Sequence, residues 1–163
     1  MRRRLIVMRH AKSSWDSDAQ QDHARPLNNR GRRDVPRVAE RLVELAWVPQ
    51  YVLSSDSQRT RETCSLLVQS WEEGIEVECL QSLYHAGVAS LKQELPRISD
   101  EVEMLLVVGH NPGWEEVVRQ LSGEVVTMKT ATAALLEGEC ENWADAFRNP
   151  WSLSDVIYPR DLM

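Results

Sequence analysis

The chain has 163 residues and a formal net charge of −6, with 42% hydrophobic and 27% charged residues. Those proportions are ordinary for a globular domain, and the length is most simply read as one domain over residues 1–163 with a real core. The negative balance argues against a general nucleic-acid binder, and no run approaches the ~18–20 apolar residues of a membrane span.

Arg2-Arg3-Arg4 reads as a solvated basic flank to a first strand, Leu5–Arg9, which is too short for a secretory signal. A polar loop follows, from Lys12-Ser13-Ser14-Trp15 to Arg25-Pro26-Leu27, and Asn28-Asn29-Arg30-Gly31 is turn chemistry. Val35, Val38, Ala39, Leu42, Leu45 and Ala46 then recur at helical spacing, with Pro36 expected in the first turn. Tyr51-Val52-Leu53 is a second strand, and Ser54-Ser55-Asp56 can cap the helix after it. Ile75–Cys79 alternates like a strand, and Val88–Ile98 has the spacing of a helix. Met104–Val108 is apolar without alternation, as in a strand covered on both faces. Trp114–Leu121 is the next helix, and Ala131–Leu136 and Trp151–Tyr158 are candidate strands at the sheet edge. Alternating strands and helices predict an α/β domain with a largely parallel sheet.

Cys64, Cys79 and Cys140 are odd in number and in no CxxC arrangement, which fits reduced structural thiols in the cytoplasm. The chemistry gathers at strand ends, where open α/β sheets build their sites. Arg9-His10 follows the first strand, Ser54-Ser55 through Arg59 the second, and Gly109-His110-Asn111-Pro112 the strongest. Two arginines and two histidines in one crevice suit a phosphoryl group. Guanidinium forks match its oxygens, a neutral imidazole attacks phosphorus, and a second imidazole donates to the oxygens. Neither histidine has a Cys, Asp or Glu neighbour at metal-ligand spacing, and the GxxxxGK[ST] phosphate loop is absent.

These segments resemble the histidine phosphatase superfamily, and within it the small phosphohistidine phosphatases similar to bacterial SixA. Leu5-Ile6-Val7-Met8-Arg9-His10-Ala11-Lys12 is similar to the opening Arg-His motif, with Ala11 where many members have Gly. Arg25-Pro26-Leu27 with Arg30-Gly31, Ser54-Ser55 through Arg59, Thr60 and Thr63, and Val107–Pro112 resemble the other motifs in order. The resemblance spans most of the chain. It implies a three-layer sandwich with a central, mostly parallel sheet flanked by helices, as in phosphoglycerate mutase. It also implies a cofactor-independent, metal-free phosphatase in which His10 is transiently phosphorylated. Arg9 and Arg59 would clamp the phosphoryl oxygens, His110 would stabilise their charge, and Arg25 would be a further phosphate or substrate contact. Tyr84, read from the residues alone, is a candidate pocket wall and substrate contact.

Many superfamily members carry a glutamate after the third strand that protonates an alkoxide leaving group, but the stretch from Cys79 to Gln93 has no carboxylate. Its absence would cost an ester ~10²–10⁴-fold, whereas an imidazole leaving group, which ordinarily titrates at about 6.5, needs less help. The expected substrate is therefore phosphohistidine, on a protein partner, with no nucleic acid or membrane involved. Two rivals stand beside this reading. One is a phosphoester phosphatase with Tyr84 or His85 as the acid, and the other is a slow phosphate-binding module. Whether the Lys12–Gln21 loop closes over the substrate is left open, and His23 is expected to be exposed and idle.

Overall fold

The computed structural model describes residues 1–15, 21–71 and 74–162. In chain order the elements are β1 (Arg2–Arg9), α1 (Asn29–Glu44), β2 (Tyr51–Ser55), α2 (Gln58–Trp71) and β3 (Glu76–Leu80). There follow α3 (Val88–Glu94), β4 (Met104–Gly109), α4 (Gly113–Ser122), β5 (Ala133–Glu139) and β6 (Trp151–Ile157), with short 3-10 turns at Asp22–Ala24, Gln81–Leu83 and Trp143–Arg148 among others. The sheet order is β3-β2-β4-β1-β5-β6. The first four strands are mutually parallel, and β5 and β6 each run antiparallel to the neighbour before them.

The two central strands explain their own sequences. Successive side chains of a strand point to opposite faces. Leu5 and Val7 of β1, with Leu105 and Val107 of β4, enter the core layer that holds Trp114, Val117, Leu91 and Trp143. Ile6 and Met8, with Leu106 and Val108, enter the layer built from Val35, Val38, Leu42, Leu67 and Trp71. Both faces are covered, by α1 and α2 on one side and by α3 and α4 on the other, so an unbroken apolar run is required.

Several expectations are adjusted. Asn28 caps α1 by accepting from Gly31 N–H at 2.9 Å, so the 16-residue helix starts early and Pro36 falls in its interior. The hydrogen bond that Pro36 cannot donate is offset by the apolar face of Val35, Val38, Ala39 and Leu42 buried on the sheet. The helix at Val88 stays α-helical only to Glu94 and tightens to a 3-10 turn over Leu95–Arg97, because Pro96 has no N–H to continue the ladder. Arg3 is not solvated but fully buried. Its guanidinium donates to the carbonyls of Cys140 (3.0 Å), Asp100 (3.0 Å), Val102 (2.7 Å) and Glu141 (2.5 Å), tying β1 to two chain reversals. No helix among the described residues is long and apolar enough to cross a membrane.

Candidate active site

Parallel register brings the three strand-end motifs to one edge. Arg9 pairs with Gly109, so His10 and His110 both leave the sheet one residue later, and Ser54 pairs with Val108 on the other side of β4. The His10 and His110 ring centroids are 5.3 Å apart. They open on a cleft of about 250 Å³ lined by Arg9, His10, Arg25, Arg59, His85 and His110 together with Lys12, Ser13, Trp15, Asp22, Asn111 and Thr130.

The backbone of His10 is pinned on both sides: its N–H donates to the Gly109 carbonyl (3.1 Å), and its carbonyl accepts from Ala131 N–H (2.9 Å). Its Nδ1 lies 2.7 Å from the Ala11 carbonyl, which can only accept, so Nδ1 carries the hydrogen and Nε2 keeps its lone pair. Ala11 N–H donates to Thr63 Oγ1 on α2, fixing the peptide that holds the ring. Gly31 lets α1 approach that loop, because a Cβ there would stand 2.2 Å from the Lys12 carbonyl oxygen. Burial, reinforced by the charges of Arg59, Arg9 and Arg25, lowers the His10 pKa to about 4 against the Ala11 hydrogen bond. The imidazole is neutral at neutral pH, the form that can act as a nucleophile.

His110 is set by its own partner. Ser55 Oγ accepts from Ser57 N–H and lies 2.8 Å from His110 Nε2; in the tautomer where the hydroxyl donates to Nε2, the ring hydrogen sits on Nδ1. Burial, with His10, Arg59 and His85 nearby, lowers the His110 pKa to about 3, against the attraction of Asp22. His110 Nδ1, Arg9 Nε and Arg59 Nε are buried without a partner among the described residues, as is the acceptor Asn111 Oδ1. With that His110 tautomer, three unmet donors around one cleft suit an oxyanion.

Asp22, to which no sequence motif drew attention, organises the rim. Arg59 Nη1 donates to its carbonyl (2.8 Å), Arg59 Nη2 to Oδ2 (3.0 Å) and Arg25 Nη1 to Oδ1 (2.9 Å). The Tyr84 hydroxyl also donates to Oδ2, and His85 Nε2 lies 2.9 Å from it. Partial burial works to raise the Asp22 carboxyl, but hydrogen bonds from Tyr84, His85, Arg25 and Arg59 hold it far below the usual carboxylate range. It is therefore an ionised acceptor and no proton donor. The spacing Asp22-x-x-Arg25 just before Pro26-Leu27 is the one local signal that could have found it.

Of the expected residues, Arg9, His10, Arg25, Arg59 and His110 meet at the cleft. Tyr84 stands beside it, edge-on to His110 with centroids 5.4 Å apart and its hydroxyl turned to Asp22. Arg25 is held by Ser13 Oγ (2.6 Å) and the Ser14 carbonyl (3.0 Å), with its guanidinium 3.3 Å from the ring centre of Trp15. His23 is not idle: its Nε2 bonds Asp56 Oδ1 at 2.8 Å, joining the Asp22–Ala24 turn to the start of α2. Burial raises the Cys64 thiol to about 12, which keeps it inert. Part of the Lys12–Gln21 loop, at 16–20, lies outside the described residues.

The family profile of the histidine phosphatase superfamily (branch 1) matches residues 5–97. A protein of Arabidopsis thaliana described as uncharacterised and chloroplastic is 36% identical over 170 residues, covering 96% of this chain and 78% of its own. The solved structure of a protein provisionally assigned as the phosphohistidine phosphatase SixA of Nakamurella multipartitia is 28% identical, with a TM-score of 0.84 and 98% and 97% of the two chains covered. A phosphoglycerate mutase of Bacillus anthracis, 16% identical over 94% of this chain and 92% of its own, shares the fold with a TM-score of 0.71.

Proposed function

This chain belongs to the histidine phosphatase superfamily, and within it we propose that one domain hydrolyses phosphohistidine on a protein partner, through a phosphate carried transiently by His10. The observation that carries the reading is the bond from His10 Nδ1–H to the Ala11 carbonyl, which leaves Nε2 as a free lone pair facing fixed cations. Nε2 forms the new bond to phosphorus as the bond to the leaving nitrogen breaks. Arg9, Arg59 and His110 Nδ1–H meet the charge on the equatorial oxygens, and Arg25 extends the cationic wall. A water oxygen then bonds to phosphorus as the P–N bond breaks and returns its electron pair to Nε2, and the proton that the water sheds balances the one taken up by the departed imidazole nitrogen. These groups act by position and charge.

The substrate class follows from the proton inventory. Asp22 is the carboxylate in the cleft, and it is held ionised by four side chains. With no carboxylic acid among the described residues of the cleft to protonate an alkoxide, the site suits a leaving imidazole better than a sugar oxygen. Likeness to the Nakamurella structure provisionally assigned as SixA supports the same choice. The burial of Cys64 and Cys140 as free thiols is in keeping with a reducing compartment such as the cytoplasm.

The test offers a phosphohistidine peptide and a panel of sugar phosphates to the purified protein. The expected result is a higher kcat/KM for the phosphohistidine peptide. Faster hydrolysis of any sugar phosphate would overturn the substrate assignment, and turnover of neither would overturn the enzymatic one.

A further inference from the structure

We propose that His85, oriented by Asp22, is a catalytic proton donor and acceptor of this site, and that it extends the reaction to phosphate esters of phenols. The inference rests on the phosphatase reading above. The Cys79–Gln93 stretch brings no carboxylate to the cleft, but it does bring an imidazole. His85 lines the cleft with His10 and His110, its ring centroid 4.7 Å from that of His110. Its side chain is 52% exposed, which puts it at the mouth, where a leaving group departs, while His110 sits deeper.

Three features hold it there. His85 Nε2 lies 2.9 Å from Asp22 Oδ2, and an ionised carboxylate only accepts, so Nε2 carries a hydrogen. Asp22 is itself held by Arg25 and Arg59, so the imidazole is oriented by an anchored carboxylate, and Nδ1 alone is left to exchange protons. The backbone of His85 has φ of 51°, a left-handed conformation uncommon for a residue with a side chain, and such strain gathers at functional positions. The Ala86–Gly87 peptide just beyond it lies against the start of α4: a Cβ on Gly113 would stand 1.9 Å from the Ala86 carbonyl oxygen. Tyr84 is the poorer donor, since its hydroxyl hydrogen already goes to Asp22.

The proton ledger closes over two steps. In the first, His10 Nε2 bonds to phosphorus, the bond from phosphorus to the phenolic oxygen breaks, and that oxygen takes the electron pair and the Nδ1 proton of cationic His85. In the second, a water oxygen bonds to phosphorus and the P–N bond breaks, returning its electron pair to His10. The Nδ1 of neutral His85 takes the water proton. Ester and water become phenol and inorganic phosphate, and both histidines return to their starting states.

The test follows phosphoenzyme formation from two esters, 2,4-dinitrophenyl phosphate, whose leaving phenolate needs no proton, and phenyl phosphate, whose phenol has a pKa of about 10. His85→Gln should slow the phenyl ester by about 10²-fold or more, the scale of a general acid, and leave the dinitrophenyl ester within about threefold. Retained reaction of the dinitrophenyl ester also reports that the variant is folded. Equal losses with both esters, or no loss with phenyl phosphate, would overturn the role of His85 while leaving the His10 phosphoenzyme standing. Failure of the unaltered protein to form a phosphoenzyme from either ester, while one forms from the phosphohistidine peptide, would overturn this inference alone; failure with all three would overturn the phosphatase reading with it.

Discussion

Protonating His10 should destabilise the fold by an amount set by its burial. Its pKa is about 4 in the folded chain against 6.5 for an ordinary solvated imidazole. Because the folded value is the lower one, the stabilisation is fully present above pH 6.5 and is lost as the pH falls toward 4. The shift corresponds to about 3 kcal/mol, of which about 2 kcal/mol is already gone at about pH 5. Asp22 contributes little in that window, since its carboxyl titrates below its ordinary value of 3.8, and the lowered glutamates are common to both proteins compared. Urea unfolding of the unaltered protein and His10→Gln at about pH 7.5 and about pH 5 measures the effect. The variant should lose about 2 kcal/mol less between the two pH values, with His110 supplying a similar loss in both proteins. If His10→Gln loses as much stability on acidification as the unaltered protein, His10 is not the buried neutral group described above.

Other perturbations separate binding from folding. Arg59→Ala removes two of the donors to Asp22 and one cationic wall, and should lower kcat/KM by about 10²–10³-fold, read in steady-state kinetics. Gly31→Ala drives a Cβ into the Lys12 carbonyl and should cost about 1–3 kcal/mol in thermal unfolding, with kcat falling because the displaced loop carries His10. Arg3→Met strands four carbonyls and should cost about 3 kcal/mol or more, with kcat per folded molecule unchanged.

What the sequence disclosed depended on how local the cause was. The runs Leu5–Met8 and Met104–Val108 betray doubly covered strands because burial on both faces is written into consecutive residues. Once those strands are parallel and adjacent, the meeting of His10 and His110 follows from register alone. Arg3 misled because its four acceptors come from residues 100–102 and 140–141, reversals that no window around the arginine contains. Asp22 was missed for the same reason. It sits in a polar loop, and its meaning comes from Arg59, Tyr84 and His85, which lie 37 to 63 residues away. Pro36 misled through a boundary, since the Asn28 cap starts α1 earlier than the apolar spacing implies.

The central claim is that Nε2 of His10 carries the phosphoryl group. Alkaline trapping during turnover of the phosphohistidine peptide, followed by peptide mass spectrometry, tests it directly. The phosphate should map to His10 as an acid-labile adduct, and His10→Ala should show neither adduct nor turnover. An adduct on another residue, or turnover that survives His10→Ala, would contradict the account.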